Sequence, residues 1–246
     1  MQTFGIYIIG DEILSGKRQD QHLNQAIQIL KARGLPLAWA QYLGDDPAKL
    51  TAQFKQSFTT QDVVFSFGGI GATPDDFTRQ AATDALGVPI ERHAAAVAEI
   101  EAQFGEDAYP KRVLMADFPQ GATLIPNPIN RVAGFSIRHH HFLPGFPQMA
   151  WPMMEWVLDR YYGHLCHQQD IIEAAILVNE AGESQLIDLM NTIVSNHPRA
   201  KLFSLPKLGP HKTIELGVKG PADAVKAAML EIQAGVSAAG FPWADI

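Results

Sequence analysis

The first half of the chain alternates short apolar runs with segments of helical periodicity, and this alternation restricts the fold more than any other feature. The runs Phe4–Ile9, Leu37–Leu43 and Val63–Phe67 are typical of strands, the first being nearly continuous as in a strand covered on both faces. Between them, Leu23–Leu30 and Leu50–Phe58 carry apolar residues at helical spacing. Short connections between such elements predict an α/β protein with a three-layer, mostly parallel sheet and helices on both faces.

The pattern of strands and helices starts anew after Gly163–Gln169, which we interpret as a linker. Beyond it the periodicity predicts a β-α-β-β-α unit, small but able to fold when it packs on a larger neighbour. We therefore expect two domains, residues 1–165 and a small α+β domain at residues 170–246.

Composition excludes several classes of protein. The net charge of −7 argues against nonspecific nucleic-acid binding, although backbone N–H groups can still bind a small anion. No apolar run approaches the ~20 residues of a membrane span, and the first ten residues lack the basic start of a secretion signal. The single cysteine, Cys166, cannot form an internal disulfide and has no evident catalytic helper. We expect a cytoplasmic protein with no membrane or nucleic-acid partner.

Three loops that follow predicted strands contain both glycine and aspartate: Gly10–Asp20, Gly44–Asp46 and Gly68–Asp76. The carboxyl ends of parallel strands meet at one edge of the sheet, where ligands of open α/β sheets bind. In the first loop Gly10, Asp11, Glu12 and Ser15 are candidates for ligand contact; the alternative is an ordinary loop.

The segment GGIGATPDDFT, residues 68–78, is the strongest local signal. Gly68, Gly69 and Gly71 allow the backbone to approach a ligand closely, and the helix that follows offers free N–H groups and a partial positive charge. Thr73 adds a hydroxyl donor. We predict a phosphate-binding turn; the alternative is a tight turn in which Asp75 or Asp76 caps a helix.

Two acidic pairs, Asp45-Asp46 and Asp75-Asp76, are predicted at the same edge. Carboxylates beside phosphates suit Mg²⁺ or serve as a general base toward water. Helix capping is the alternative, and Asp46 before Pro47 has the pattern of a helix N-cap.

Three adjacent histidines, His139–His141, fall on a predicted strand at Phe135–Leu143. They are able to bind a metal, but a solvated strand is the favoured interpretation. Pro144 and Gly145 follow and, on their pattern alone, form a rigid turn before a helix.

Five stretches together resemble a known family. They are IIGDEILSGKRQDQHLN at 8–24, GDD at 44–46, GGIGATPDDFT at 68–78, FPQGATLIPNP at 118–128 and FLPGFPQM at 142–149. The chain resembles the molybdenum-cofactor biosynthesis domain of the molybdopterin adenylyltransferases (MoaB/MogA-like) and, more closely, the N-terminal region of the competence/damage-inducible protein A (CinA) family. The tail from about residue 170 resembles the small domain that follows in that family.

The resemblance implies that a phosphorylated pterin, such as molybdopterin, or a nucleotide lies across residues 68–73. It further implies metal-assisted phosphoanhydride chemistry at the position of Asp76, as in an ADP-ribose pyrophosphatase that uses Mg²⁺, Co²⁺ or Ni²⁺, and a homo-oligomer, most simply a dimer. The expected ligand-binding residues are Gly10, Asp11, Glu12, Ser15, Gly68, Gly69, Gly71, Thr73, Asp75, Pro144 and Gly145; the expected catalytic and metal-binding residues are Asp45 and Asp76. The nicotinamide-nucleotide deamidase domain often found after this pair has no counterpart, so that activity is not expected.

Two departures from the family pattern leave the function open. Ala72 replaces the usual proline, and the loop Asn127–Phe135 differs and adds a charge at Arg131. Three hypotheses follow: a binding protein for a phosphorylated pterin or nucleotide, a metal-dependent pyrophosphohydrolase of ADP-ribose or a related dinucleotide, and a non-catalytic interaction protein.

Overall fold

The computed structural model describes residues 2–168, 171–207 and 212–246. The chain divides into two compact units, Met1–Cys166 and His167–Ile246. Residues 169 and 170, the end of the predicted linker and the start of the predicted second domain, lie outside the described residues. In the part of the chain that the structure describes, no helix has the length and apolar character to cross a membrane.

A six-stranded sheet forms the centre of the first unit. Its strands are β1 (Phe4–Ile9), β2 (Leu37–Leu43), β3 (Val63–Phe67), β6 (Thr123–Ile125), β7 (Gly134–Ile137) and β8 (His140–Leu143). They lie in the order β2-β1-β3-β8-β7-β6. Strands β2, β1, β3 and β8 are parallel to one another, and β7 is antiparallel to both of its neighbours, β8 and β6. Every residue of β1 and β3 is buried, as their apolar runs predicted.

Helices cover both faces of this sheet. They are α1 (Asp11–Leu14), α2 (His22–Lys31), α3 (Pro47–Ser57), α4 (Thr78–Leu86), α5 (Ala94–Phe104) and α6 (Pro147–Tyr161). One hydrophobic core lies under α2 and α6, and a second lies under α3, α4 and α5. The predicted three-layer, mostly parallel α/β architecture is therefore confirmed. Two short strands, β4 (Ile90–Arg92) and β5 (Asp117–Pro119), pair separately.

The segment predicted as one strand at Phe135–Leu143 is a hairpin. Ile137 pairs with His140, and Arg138 and His139 form the turn between β7 and β8. The turn takes a positive φ of 52° at Arg138. Because both strands are buried, the apolar residues of β7 and β8 resemble one continuous strand in the sequence, and the turn between them is not recognisable.

Neither sequence interpretation of these histidines is correct. Among the described residues they are not part of a group of metal ligands, and His140 and His141 are buried rather than solvated. His140 and His141 are 1% and 2% exposed. The Nε2 of His140 lies 2.8 Å from the Ser57 hydroxyl. Burial lowers the pKa of each imidazole to about 3, so both rings are neutral.

The second unit is an antiparallel sheet with two helices. Its strands β9 (Ile171–Asn179), β10 (Lys201–Lys207), β11 (Thr213–Pro221) and β12 (Trp243–Asp245) lie in the order β10-β11-β9-β12, and its helices are α7 (Glu183–Asn196) and α8 (Ala222–Ala238). The β-α-β-β-α pattern is confirmed. The sequence did not predict β12, because three residues with a polar end carry no strand periodicity.

Candidate functional site

Four neighbouring parallel strands end at one edge of the first sheet and there open into a cleft of about 830 Å³, here called the edge cleft. The loops after β1, β2, β3 and β8 contribute Gly10, Glu12, Lys17, Arg18, Asp45, Gly68, Gly69, Ile70, Gly71, Ala72, Thr73, Asp75, Asp76, Pro144, Gly145 and Phe146 to its lining. The structure thus brings most of the sequence-predicted site residues into one concave surface. Asp11 and Ser15 are the exceptions, since neither belongs to the lining.

The turn after β3 requires glycine at two consecutive positions. Gly68 and Gly69 have φ of 105° and 68°. A Cβ on Gly68 would lie 2.3 Å from the carbonyl oxygen of Ile9, and one on Gly69 would lie 2.2 Å from the Thr78 Oγ1. Thr78 is fully buried, and its hydroxyl donates to the Gly68 carbonyl at 3.0 Å. The first residue of α4 therefore fixes the shape of the glycine turn.

Asp76 precedes α4 and folds back onto the same turn. Its Oδ2 accepts a hydrogen bond from the Thr73 N–H at 2.9 Å and another from the Thr73 hydroxyl. The missing Cβ of Gly71 provides the space, since an added one would lie 2.5 Å from that oxygen. No side chain caps the start of α4, so the capping alternative for Asp75 and Asp76 does not describe this structure.

Asp11 and Asp45 join the loops after β1 and β2. The Asp11 N–H donates to Oδ2 of Asp45 at 2.8 Å, and the Asp45 N–H donates to Oδ1 of Asp11 at 3.3 Å. Asp11 thereby positions Asp45 rather than lining the cleft. The neighbouring Asp46 caps α3 by accepting from the Lys49 N–H at 3.0 Å, which confirms its predicted role.

The carboxylates make one part of the cleft acidic. Burial is the largest cause that raises the pKa of Asp45 above its ordinary value; the N–H of Asp11 opposes this, and the negative charges of Asp11, Glu12 and Asp75 raise the pKa further. Lys17 and Arg18 are the cations among the lining residues. The cleft thus combines acidic, cationic and uncharged hydrogen-bonding groups.

The cleft lining also includes apolar side chains. Phe104, Met115, Val132, Phe146 and Met149 line it together with Asn127 and Asn130. A flat heterocycle packs well against aromatic and thioether side chains.

The loop that departs from the family pattern is well ordered by Asn127. The side-chain amide of Asn127 donates to Oδ1 of Asn130 at 2.8 Å and to the carbonyl of Val132 at 2.9 Å. Its own Oδ1 accepts from the Ile129 N–H at 3.0 Å. Arg131 pairs with Glu99 at 2.6 Å and is absent from the cleft lining, so the added charge does not enter the site.

Two residues that support the site were not predicted. The Arg79 guanidinium donates to the carbonyls of Gly71 and Leu114 and so ties the glycine turn to a distant segment. Burial lowers the pKa of His22, so its neutral ring donates through Nε2 to the Gly145 carbonyl at 3.2 Å. Both side chains contact residues on other elements of the fold, so the periodicity of the sequence does not reveal these roles. Lys17 and Arg18, in contrast, lie inside a predicted site loop, and their charge was a usable signal.

A divalent ion fits this cleft only together with oxygens from a ligand. Among residues 2–168, 171–207 and 212–246, no group of three or more His, Cys, Asp or Glu side chains is assembled as a metal site. Asp45, Asp75 and Asp76 nevertheless line the same cleft. Mg²⁺ is commonly held by one or two carboxylates plus phosphate oxygens and waters, a donor set that these residues are able to complete.

The fold and the cleft define an α/β ligand-binding domain whose glycine turn lies at the carboxyl edge of a mostly parallel sheet. Residues 5–164 match a family model described as "Probable molybdopterin binding domain". The chain therefore belongs to this family.

The relatives agree with the resemblance seen in the sequence. A CinA-like protein of Syntrophotalea carbinolica is 30% identical over 168 residues, which cover 65% of this chain and 41% of that protein. One of Anaeromyxobacter sp. (strain K) is 29% identical over 236 residues, covering 92% and 57%. The chain thus spans about half the length of these curated relatives. A crystal structure of the protein CinA from Thermoplasma acidophilum, described as of unknown function, superposes with a TM-score of 0.59 at 24% identity, covering 65% of this chain and 97% of that one.

Proposed function

We propose that the edge cleft binds a phosphorylated pterin or nucleotide, with its phosphate against residues 68–73. The glycine turn carries this proposal, because Gly68 and Gly69 leave no room for a Cβ and open into the cleft. Backbone N–H groups in such a turn bind anions without a charged side chain. Lys17 and Arg18 add positive charge to the same cleft.

The volume and polarity of the cleft support a ligand larger than a simple phosphate. A cleft of about 830 Å³ falls in the range of small-molecule and cofactor sites. Among its apolar side chains, Phe104 and Met115 pack on the same hydrophobic core and are available to a ring system, while the phosphate lies against residues 68–73. The printed description of the family, a molybdopterin-binding domain, agrees with this class of ligand.

Calorimetric titration with AMP, ADP-ribose, a dinucleotide and an adenylated pterin tests the proposal. The double variant Lys17→Gln/Arg18→Gln should weaken binding of the best ligand by about tenfold or more, because each charge-assisted hydrogen bond lost costs roughly 1.5–3 kcal/mol. Arg131→Gln is the matched control, since it removes a cation outside the lining. Equal affinities in all three proteins would show that Lys17 and Arg18 do not assist binding and would remove their support from the proposal, and failure of every ligand to bind would favour the non-catalytic interaction protein.

The second candidate function is hydrolysis of a phosphoanhydride in ADP-ribose or a related dinucleotide. The raised pKa of Asp45 favours it, because a carboxylate with increased basicity inside a ligand cleft is suited to act as a general base toward water. Asp76 lies in the same lining beside the glycine turn. Mg²⁺, Co²⁺ or Ni²⁺ would neutralise charge on the phosphates when bound with Asp45 and Asp76.

The substitution Asp76→Asn distinguishes the hydrolase hypothesis from the hypothesis of a protein that only binds its ligand. An amide oxygen can still accept from the Thr73 N–H, so the variant should melt close to the parent temperature. It should bind the ligand in metal-free buffer at least as tightly, while turnover of ADP-ribose with Mg²⁺, Co²⁺ or Ni²⁺ should fall by at least ~10²-fold. Turnover equal to that of the parent removes Asp76 from the mechanism. Absence of turnover in the parent would contradict the hydrolase hypothesis, and ligand binding would then be the only proposed function.

We further propose that the protein assembles as a homo-oligomer, most simply a dimer. Several large apolar side chains of the first unit are exposed, among them Leu14, Ile129 and Phe146. Light scattering at micromolar concentration should give at least twice the monomer mass. A mass equal to one chain would contradict the proposal.

A further inference from the structure

A second cavity, of about 400 Å³, lies at the other end of β8. It surrounds the turn of the β7–β8 hairpin, whereas the edge cleft begins after Leu143. At ~3.3 Å per residue, β8 separates the two by about 10 Å. We call it the hairpin cavity. Its lining includes Ser136, Arg138, His141 and Tyr162.

Three of these side chains form one hydrogen-bonded relay. The Ser136 hydroxyl lies 2.8 Å from Nδ1 of His141, and the Tyr162 hydroxyl lies 2.8 Å from Nε2. His141 is fully buried with a pKa of about 3, and burial raises the pKa of Tyr162 to about 12. The ring is therefore neutral and the phenol keeps its proton.

The relay contains one polar hydrogen more than its two contacts use. Two hydroxyls and one neutral ring supply three hydrogens, but the two contacts use only two of them. In the part of the chain that the structure describes, neither hydroxyl has another hydrogen-bond partner. Because the phenol is the stronger acid, Tyr162 donates to Nε2, the ring proton sits on Nδ1 and points at Ser136, and Ser136 keeps a free hydrogen.

The cavity around this free donor favours an anion. Its lining contains no Asp or Glu, although the protein carries 26 acidic residues and a net charge of −7. Arg138 supplies a permanent positive charge at the hairpin turn, beside Phe58. A buried donor without an acceptor costs free energy that a ligand oxygen would recover.

We propose that the hairpin cavity is a second ligand site, for a small organic molecule that carries a carboxylate or phosphate, and that Ser136 donates to this oxyanion. The volume exceeds what an isolated phosphate needs and lies within the lower range of small-molecule sites. The Tyr162–His141 pair acts by holding the Ser136 hydroxyl as a donor. This site is independent of the function proposed for the edge cleft.

Amide NMR of the full chain, titrated with benzoate, phenyl phosphate and the neutral analogue benzamide, tests the proposal. Saturable shifts are expected at residues 136–139 and 161–164 with at least one of the two anions, and whichever binds more tightly identifies the oxyanion. Ser136→Ala and Tyr162→Phe should each weaken that binding by about tenfold, the second because it lets the ring accept the Ser136 hydrogen. Tyr109→Phe is the matched control, because it deletes an exposed phenol hydroxyl that lies outside the lining of the hairpin cavity.

Three results would overturn the proposal. One is the absence of saturable shifts at these amides, including the case in which only residues 68–71 respond. Another is a response to benzamide as strong as the response to the anions. The third is unchanged affinity in Tyr162→Phe, a variant that keeps the ring and its packing and therefore should fold even where Ser136→Ala does not.

Discussion

The substitution Gly69→Ala isolates the contribution of the glycine turn when it is compared with Gly87→Ala. Both glycines have a positive φ, 68° at Gly69 and 66° at Gly87. A Cβ on Gly87, the C-cap of α4, meets nothing within 4 Å. A Cβ on Gly69 lies 2.2 Å from the Thr78 Oγ1. Both alanine variants thus carry the cost of a residue with positive φ, and only Gly69→Ala adds a steric clash.

The expected magnitudes follow from this difference. A left-handed alanine costs roughly 1–2 kcal/mol, and about 1 kcal/mol shifts the melting temperature of a protein of this size by roughly 2–4 °C. Gly69→Ala also displaces the glycine turn. The new Cβ must move about 1 Å away from the Thr78 Oγ1, from 2.2 Å to an ordinary contact distance of 3.4 Å or more. Overpacking of a buried site typically adds about 1–3 kcal/mol. Thr78 is fully buried and cannot turn aside without losing its bond to Gly68.

Urea denaturation and ligand titration on the same preparations measure both effects. Gly87→Ala should lose stability but bind the best ligand of the edge cleft as the parent does. Gly69→Ala should lose more stability and at least ~10-fold in affinity, because the N–H groups of the turn move away from the phosphate. If Gly69→Ala binds as tightly as Gly87→Ala, the glycine turn is not the phosphate-binding element and the proposed function loses its main support.

Three further predictions concern the remaining parts of the first unit. Asp45→Asn should stabilise the protein at neutral pH. The folded pKa of Asp45 is raised, so the parent loses stability as the pH rises from the ordinary carboxyl value of 3.8 through the folded pKa, and pH-dependent unfolding of the amide variant should not show this loss. Arg79→Ala should cost about 2–4 kcal/mol in urea unfolding, because the carbonyls of Gly71 and Leu114 lose their donor, and a cost near zero would contradict that role. The fragment 1–165 should unfold in one cooperative transition, since the buried residues of both of its hydrophobic cores precede Cys166; an insoluble fragment would show that the boundary is misplaced.

The sequence was informative wherever one local pattern determined one element. The buried runs of β1 and β3 and the Asp46-Pro47 start of α3 are short-range signals, and the structure has them at the predicted positions. The meeting of the β1, β2 and β3 loops followed from the parallel topology alone. Most of the candidate site could therefore be placed before any coordinates were known.

Features that depend on distant partners could not be predicted in this way. The β7–β8 turn is set by pairing between strands whose apolar patterns run together, so the histidines were assigned to a solvated strand although the core surrounds them. Arg79 and His22 lie on helices, and only the folded chain shows that they hold Gly71 and Gly145. Asp11 was expected to face the ligand, but its hydrogen bonds with Asp45 turn it toward the neighbouring loop.

For the ligand that we propose, the distribution of charge in the edge cleft would also set the orientation. Asp45 and Glu12 place carboxylates at the ends of β1 and β2, and burial, followed by the negative charges of Asp11, Glu12 and Asp75, raises the pKa of Asp45. A phosphate placed there would meet like charge, whereas the hydroxyls of a sugar or the amino group of a pterin would donate to the carboxylates. In the proposed function the glycine turn would accept the phosphate through neutral N–H groups, without adding a side-chain charge to the cleft. One ligand that joins a phosphate to a donor-rich ring or sugar satisfies both regions at once, which is the property that phosphorylated pterins and nucleotides share.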